Sequence, residues 1–333
     1  RQQLILYVML LKVNLVKQKE NEMNVFRVLE LKAALKQELL DKFSMPVERC
    51  KKGDFLNLLG TEKADMNTEM YDSELSIKIY RNFLKWLFAT FGEDERLFRK
   101  SCLARFGDLK SKKILITSCG LGEDVSVAAE LVGKNGVVHA QDLSKQFVEL
   151  ASKNNSSDNV KINVSDALSL PYLDDYFDAV YHFGGINLFG DIGLAITEME
   201  RVCKVGGQVM FGDESVAMHL RDTDYGKMFI NNSLLWEETL PLPHLPLSAS
   251  DINISYVLGN CFYLIRFTKG EGLPFVDIDV PHVGYKGGSV RKRYFGSLEG
   301  IDVSLRDALY EEAKAKQTSV SAIIEGLVKN YFD

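Results

Sequence analysis

The sequence predicts an α/β fold: a doubly wound, seven-stranded sheet with a helical region before it and a helical extension after it. Three observations carry this. Ile114-Leu115-Ile116-Thr117 is an apolar run that breaks into Ser118-Cys119-Gly120-Leu121-Gly122, a buried strand ending in a glycine turn. From 113 to 212 apolar runs alternate with segments of helical period, the pattern of a parallel sheet covered on both faces. Residues 253–258 and 261–268 then follow with only Gly259-Asn260 between them, so the sheet finishes in a tight antiparallel hairpin.

The elements follow in order. Residues 1 to about 45 read helical, with Val25, Leu29, Leu31, Leu35 and Leu39 near helical spacing. The apolar stretch from Leu4 to Val16 is broken by Lys12 and Asn14 and is too short to span a bilayer. It reads as a packed helix or dimer contact, with a membrane-surface helix as the alternative. Pro46 and Gly53 punctuate, and a second helix is expected over 69–91 through Ile77, Ile79, Tyr80, Phe83, Leu84 and Leu87. Residues 1–108 are thus a helical cap or dimerisation region. Strands are expected near 113–118, 136–141, 159–164, 178–183 and 207–212, and helices near 123–132, 144–154 and 190–203, with Ser144 as an N-cap. This core runs over 109–270. Within it, 213–250 is an insert with three prolines in Leu240-Pro241-Leu242-Pro243-His244-Leu245-Pro246, a stiff, non-regular loop.

An extension over 271–333 completes the chain. Its Gly284–Gly296 region is basic and interleaved with aromatics, which reads as an anion clamp or a solvated loop. Residues 301–333 read strand-turn-helix-turn-helix and resemble the ribbon-helix-helix fold of small repressors. Four Lys/Arg against six Asp/Glu in that stretch make a poor DNA footprint, so self-association or packing on the core is expected instead. The whole chain has 333 residues and a formal net charge of −6, which gives no pull toward nucleic acid. Five cysteines, at 50, 102, 119, 203 and 261, have no metal-ligand spacing. They read as reduced thiols of a cytoplasmic protein, with Cys203 on a helix and Cys261 on a strand.

The glycine turn serves two needs. The chain must turn sharply from strand to helix, and its backbone must come close to a ligand. Asp142, at the tip of the second strand, lies about twenty residues past the turn, where an acid meets ribose hydroxyls in nucleotide-binding α/β folds. A dinucleotide fingerprint would want a third glycine where this chain has Val125, which argues against a nicotinamide-dependent dehydrogenase.

With Asp166-Ala167, Leu170-Pro171-Tyr172, Phe177-Asp178-Ala179-Val180 and Arg201-Val202-Cys203-Lys204-Val205-Gly206-Gly207, the turn and Asp142 resemble the class I methyltransferases of the ubiquinone/menaquinone-biosynthesis type. The resemblance covers roughly 110 to 215. It implies a Rossmann-like fold and S-adenosylmethionine as cofactor, held by Ser118, Cys119, Gly120, Gly122, Asp142, Leu143, Asp166, Ala167 and Phe183. It implies that Asp166 serves the adenine amino group and that 213–250 is a substrate lid. An aromatic such as Tyr71 often closes over the cofactor in related enzymes; an ordinary aromatic at the start of a helix is the alternative. Two departures stand out: Ile116 where the family has an acid, and Ser118 where it has glycine.

The expected function is methyl transfer from S-adenosylmethionine to a small-molecule acceptor carrying an anionic group, in a cytoplasmic homodimer without nucleic-acid or integral membrane contact. A general base is needed only for an acceptor with a proton to lose. Candidates are His182 after the fourth strand and His244 and Tyr225 in the lid. Glu214 after the fifth strand is a further base candidate, and Asn187, Asp213 and the tail's Lys286, Arg291, Lys292 and Arg293 are candidates for acceptor contact. No metal is expected. The alternative is a non-catalytic cofactor-binding or regulatory protein acting through its tail.

Overall fold

The computed structural model describes residues 74–284, 287–295 and 302–332. The expectations for residues 1–73, including Cys50 and Tyr71, and for Lys286 lie outside the described residues. The chain divides into two compact units between Pro274 and Phe275.

The first unit is built on one seven-stranded sheet: β1 (Lys113–Thr117), β2 (Val137–Asp142), β3 (Val160–Val164), β4 (Phe177–Phe183), β5 (Cys203–Glu214), β6 (Ala249–Val257) and β7 (Phe262–Lys269). Their order is β3-β2-β1-β4-β5-β7-β6. The pairs from β3 to β5 are parallel and those made by β7 are antiparallel. Chain order reverses between β1 and β4. That switch point leaves a crevice at the carboxyl ends of the strands, where ligands bind in open α/β sheets.

Both faces are covered, so the central strands are apolar throughout. Ile114, Leu115 and Ile116 are all buried. On one face lie helices α1 (Glu74–Phe91), α2 (Glu95–Leu103) and α3 (Glu123–Val132). They deliver Leu87, Phe88, Phe98, Cys102, Leu103, Val125 and Ala128 to one core. Helix α4 (Lys145–Asn154) starts at the expected cap, Ser144, whose hydroxyl accepts from Phe147 N. On the other face α5 (Ile192–Val202), capped by Asp191, packs Ile196, Met199 and Val202 on Leu115, Val180 and Val209.

Several local expectations are corrected. Strand β5 begins at Cys203 rather than near 207, so Cys203 is in the sheet and not on a helix. The hairpin is not a two-residue turn. Val257 pairs with Phe262, leaving Leu258–Cys261 as the loop, with Leu258, Gly259 and Asn260 all at positive φ. Cys261 is therefore in the turn, and its N–H bonds Leu258 O. The insert is regular only in part, and its proline run stays non-regular apart from one turn at Leu242–His244. It holds helix α6 (Asp224–Asn232), and Trp236 is buried in the core; the prolines masked the helical signal before them.

The second unit contains α7 (Val290–Phe295), α8 (Val303–Ala315) and α9 (Val320–Phe332). The strand expected at 303–305 is the first turn of α8. Asp302 explains this, because its carboxylate accepts from Ser304 N and starts the helix. No ribbon precedes the helix pair among the described residues. No described helix is long and apolar enough to cross a membrane.

His139 is the polar anomaly of this fold. It is buried on β2 with the rings of Tyr172, Tyr176 and Phe177 edge-on around it. Burial pushes it down from 6.5 to about 3, with Lys161 and Lys113 acting in the same direction. Its folded-state pKa is depressed, so between about 3 and 6.5 the unfolded chain binds the extra proton. The native state then loses stability as pH falls below 6.5, by up to about 1.4 kcal/mol per pH unit. We expect His139→Phe to flatten this loss, so that urea midpoints of variant and wild type move apart between pH 7 and 5 in the variant's favour. A constant difference across that range would refute the assignment.

Candidate functional site

The glycine turn closes β1 at the switch point. Ser118 sits at φ 47° and Gly120 and Gly122 at φ 55° and 88°, so the chain passes through the left-handed region three times in five residues. Glycine tolerates this and serine does not. The position where the family uses glycine is thus strained here. Cys119 N bonds Gln141 O, and Gly122 N closes the turn onto Cys119 O.

Asp142 ties the turn to β2. Its Oδ2 accepts from Gly120 N at 2.9 Å and its Oδ1 from Ser144 N at 2.9 Å. The carboxylate is buried, and desolvation raises it from 3.8 to about 6, while the N–H groups of Ser144, Gly120 and Leu143 pull the other way. Each oxygen keeps a further lone pair for a ligand hydroxyl.

Three supports had no clear signal in the sequence. Asn154 and Asn155, at the end of α4, donate to Leu121 O and Gly122 O at 3.0 and 3.1 Å. Tyr80 of α1 lies over the turn, where a Cβ at Gly120 would be 2.9 Å from its hydroxyl. Its ring sits 5.4 Å from Phe147, and burial raises its phenol well above the usual value. Buried Arg99 of α2 pairs with Asp124 at 2.5 Å and with Glu95 at 2.8 Å, holding α2 on the first turn of α3.

Ile116, where the family has an acid, is buried in the apolar core. Beyond β3, Asp166 accepts from Leu168 N at 2.8 Å, and Ala167 is buried. Phe183, at the end of β4, contacts Phe98 and Phe262 at 5.3 and 5.6 Å between centroids. After it, Gly184 and Gly185 take φ 83° and 96°, and a Cβ at either would meet nothing within 4 Å. The crevice is therefore open beside β4.

The acceptor-side candidates divide. His182 lies within β4, not after it, and is fully buried. Its Nδ1 is 3.0 Å from Thr117 Oγ1, and Nε2 has no partner among the described residues. Burial lowers it from 6.5 to about 4 against the pull of Asp213. Asp213 and Glu214 are in β5, not after it. Asp213 Oδ2 accepts from Gly185 N and Asn187 N at 3.1 and 2.7 Å. Asn187 donates to Glu214 O at 2.8 Å. Burial and the neighbouring Asp213 carboxylate raise Glu214 well above the usual range.

The two lid candidates sit apart from this group. Tyr225 donates to Gly259 O at 2.8 Å, tying α6 to the hairpin turn. Exposed His244 rests against Gly193 at the start of α5. In the second unit Arg291 makes a two-pronged pair with Asp279 at 2.7 and 3.0 Å. Arg293 donates to Gly287 O at 3.0 Å.

Residues 109–244 match a family model described as a methyltransferase domain. Demethylmenaquinone methyltransferase of Staphylococcus aureus is 34% identical over 119 residues, 35% of this chain and 49% of the relative. The chain thus spans about half the length of the curated relatives it matches. Phosphoethanolamine N-methyltransferase 2 of Haemonchus contortus, solved with S-adenosyl-L-methionine, superposes with a TM-score of 0.48 at 15% identity, covering 63% of this chain and 61% of that one. A putative S-adenosyl-L-methionine-dependent methyltransferase of Methanococcus maripaludis gives 0.46 at 22% identity, covering 65% and 100%. Residues 109–244 are thus similar to methyltransferase domains, and the strand order is the doubly wound, seven-stranded sheet that the resemblance implied. The site fits S-adenosylmethionine: the glycine turn brings bare backbone to the carboxyl end of β1, and Asp142 offers a buried carboxylate beside it.

Gly120→Val should abolish S-adenosylmethionine binding, because its side chain meets Tyr80 and the positive φ. Calorimetry on a folded variant that binds normally would remove the turn from the site. Ser118→Gly should raise stability by about 1 kcal/mol, since it relieves the left-handed strain. An unchanged denaturation midpoint would count against that strain.

Proposed function

We propose that this protein transfers a methyl group from S-adenosylmethionine to a small-molecule acceptor. The observation that carries the reading is the strained turn and Asp142, meeting at the switch point beside an opening at Gly184-Gly185. When bound, the cofactor supplies an activated methyl on a sulfonium, already a good leaving group.

The protein's own work is then alignment and exclusion of water. Ser118, Cys119, Gly120 and Gly122 present backbone to the amino-acid end of the cofactor. Asp142 and Leu143 hold the ribose. Asp166 and Ala167 take the adenine, and Phe183 walls the methyl side. Asp213 fixes the 185–187 loop through two backbone N–H groups, which supports Asn187 as an acceptor contact. His182 is neutral at pH 7 and keeps Nε2 without a partner among the described residues, so it is the base for an acceptor that must lose a proton. His244 and Tyr225 are proposed as lid residues. Four buried free thiols among the described residues suit a reducing compartment, which supports a cytoplasmic site of action, and a homodimer is the proposed assembly.

The test is a screen of metabolite pools with methyl-labelled cofactor, read by mass, beside a calorimetric titration of the cofactor. Binding with label transfer supports an enzyme, whereas absence of binding returns the chain to a regulatory role. Once an acceptor is found, His182→Gln should lower kcat by roughly 10²–10⁴-fold while leaving cofactor affinity within twofold. A variant with wild-type kcat would remove His182 from the chemistry.

A further inference from the structure

On the face that carries α1–α3, two arginines converge on one groove far from the glycine turn. Arg105 follows α2, and Arg266 lies on β7. Together with Met210, Asn253, Ser255 and Leu264 they line a cavity of about 220 Å³. Arg266 Nη1 donates to Arg105 O at 2.7 Å and to Gln208 Oε1 at 3.2 Å. Arg105 Nη1 donates to Ser255 Oγ at 2.8 Å. Every one of these partners is neutral. Neither guanidinium meets a carboxylate among the described residues, whereas Arg96, Arg99, Arg201, Arg291 and Arg306 all do.

Two cations that line one groove, each bonded only to neutral groups, repel each other, and the repulsion grows where apolar walls lower the dielectric. Met210 and Leu264 are such walls, both buried in the core. The Nε and Nη2 groups of both arginines have no hydrogen-bond partner among the described residues. The Ser255 hydroxyl and the Asn253 amide add neutral donors at the rim. Planar guanidiniums in pairs, backed by such donors, recognise oxyanions, and a phosphate takes several donors at once.

The position separates this groove from the cofactor site. Arg266 pairs in register with Met210, three residues before Asp213. At about 3.3 Å per residue the groove lies roughly 10 Å down β5 from that tip, toward the amino ends of the parallel strands. The geometry points to a second ligand site here, for a doubly charged phosphate group, either free or on a small molecule with a short carbon body. It is independent of the methyl-transfer reading.

The test uses the full chain and calorimetry with inorganic phosphate at low ionic strength, because the groove is open and screening is strong. Saturable binding is expected, weakened at least tenfold by Arg105→Gln and by Arg266→Gln and unchanged by Arg306→Gln, whose guanidinium pairs with Asp307. Asn253→Asp, at an exposed edge position, places a carboxylate in the groove and should weaken binding as much, which keeps the test open if an arginine variant does not fold. S-adenosylmethionine affinity should stay within twofold throughout. Tighter binding of glycerol phosphate than of phosphate would identify a phosphomonoester; equal affinity would identify the free ion. Absence of saturable binding by the wild type would overturn the proposal. So would phosphate binding that survives both Arg105→Gln and Asn253→Asp, or that is lost with Arg306→Gln.

Discussion

The site depends on one buried carboxylate. Asp142 receives N–H groups from two segments, Gly120 on the β1 turn and Ser144 at the start of α4. Removing such a group from water is costly, and its rise to about 6 records that cost. The backbone donors offset part of it and in return fix the turn against the tip of β2. Without this clamp Ser118 would have little reason to stay at φ 47°, since a serine gives up a more favourable backbone conformation to do so. Strain at Ser118 and desolvation at Asp142 are therefore two parts of one arrangement, in which the turn and the buried carboxylate hold each other in place.

This arrangement is braced from outside the sheet. Helix α2 reaches the first turn of α3 through Arg99 and Asp124, a pair that would be expensive to bury without its second acid, Glu95. Asp124 Oδ1 still has no hydrogen-bond partner among the described residues. Helix α1 adds Tyr80 over Gly120. The helices before the sheet thus do more than cover an apolar face. They set the position of the segment that a cofactor would touch, so core packing and site geometry share the same residues.

How much of this was legible followed the range of the interactions. Strand β1, the turn, Asp142 and the Ser144 cap lie in short windows with local physical reasons, and they were read correctly from residue type and spacing. Cys203 was misplaced because β5 starts earlier than its apolar run, held by pairing of Cys203 with Phe177 on a neighbouring strand. The hairpin was read as two residues because Gly259-Asn260 is a strong local signal, yet cross-strand register sets the loop at four. Tyr80, Asn154 and Asn155 were missed as site residues for a different reason. Their roles come from α1 and α4 meeting the turn in space, and an amphipathic helix does not say which of its polar or aromatic residues will do so. Helix α6 was hidden behind Pro241, Pro243 and Pro246, which are loop signals for the segment after it only.

The acceptor side shows why residue type alone could not assign roles there. His182, Asp213 and Glu214 were expected beyond the strand ends, where solvent would leave them free to titrate. All three are inside β4 or β5. Burial drives them in opposite directions: the imidazole toward its neutral base form, and the Glu214 carboxyl toward its neutral acid form. Asp213 keeps its place through N–H groups from Gly185, Asn187 and Glu214. Burial thus shifts two titratable groups in opposite senses around one backbone-bound carboxylate, a pattern that marks candidate functional sites. Environment has divided the roles between these residues, and the environment was set by how far the two strands extend.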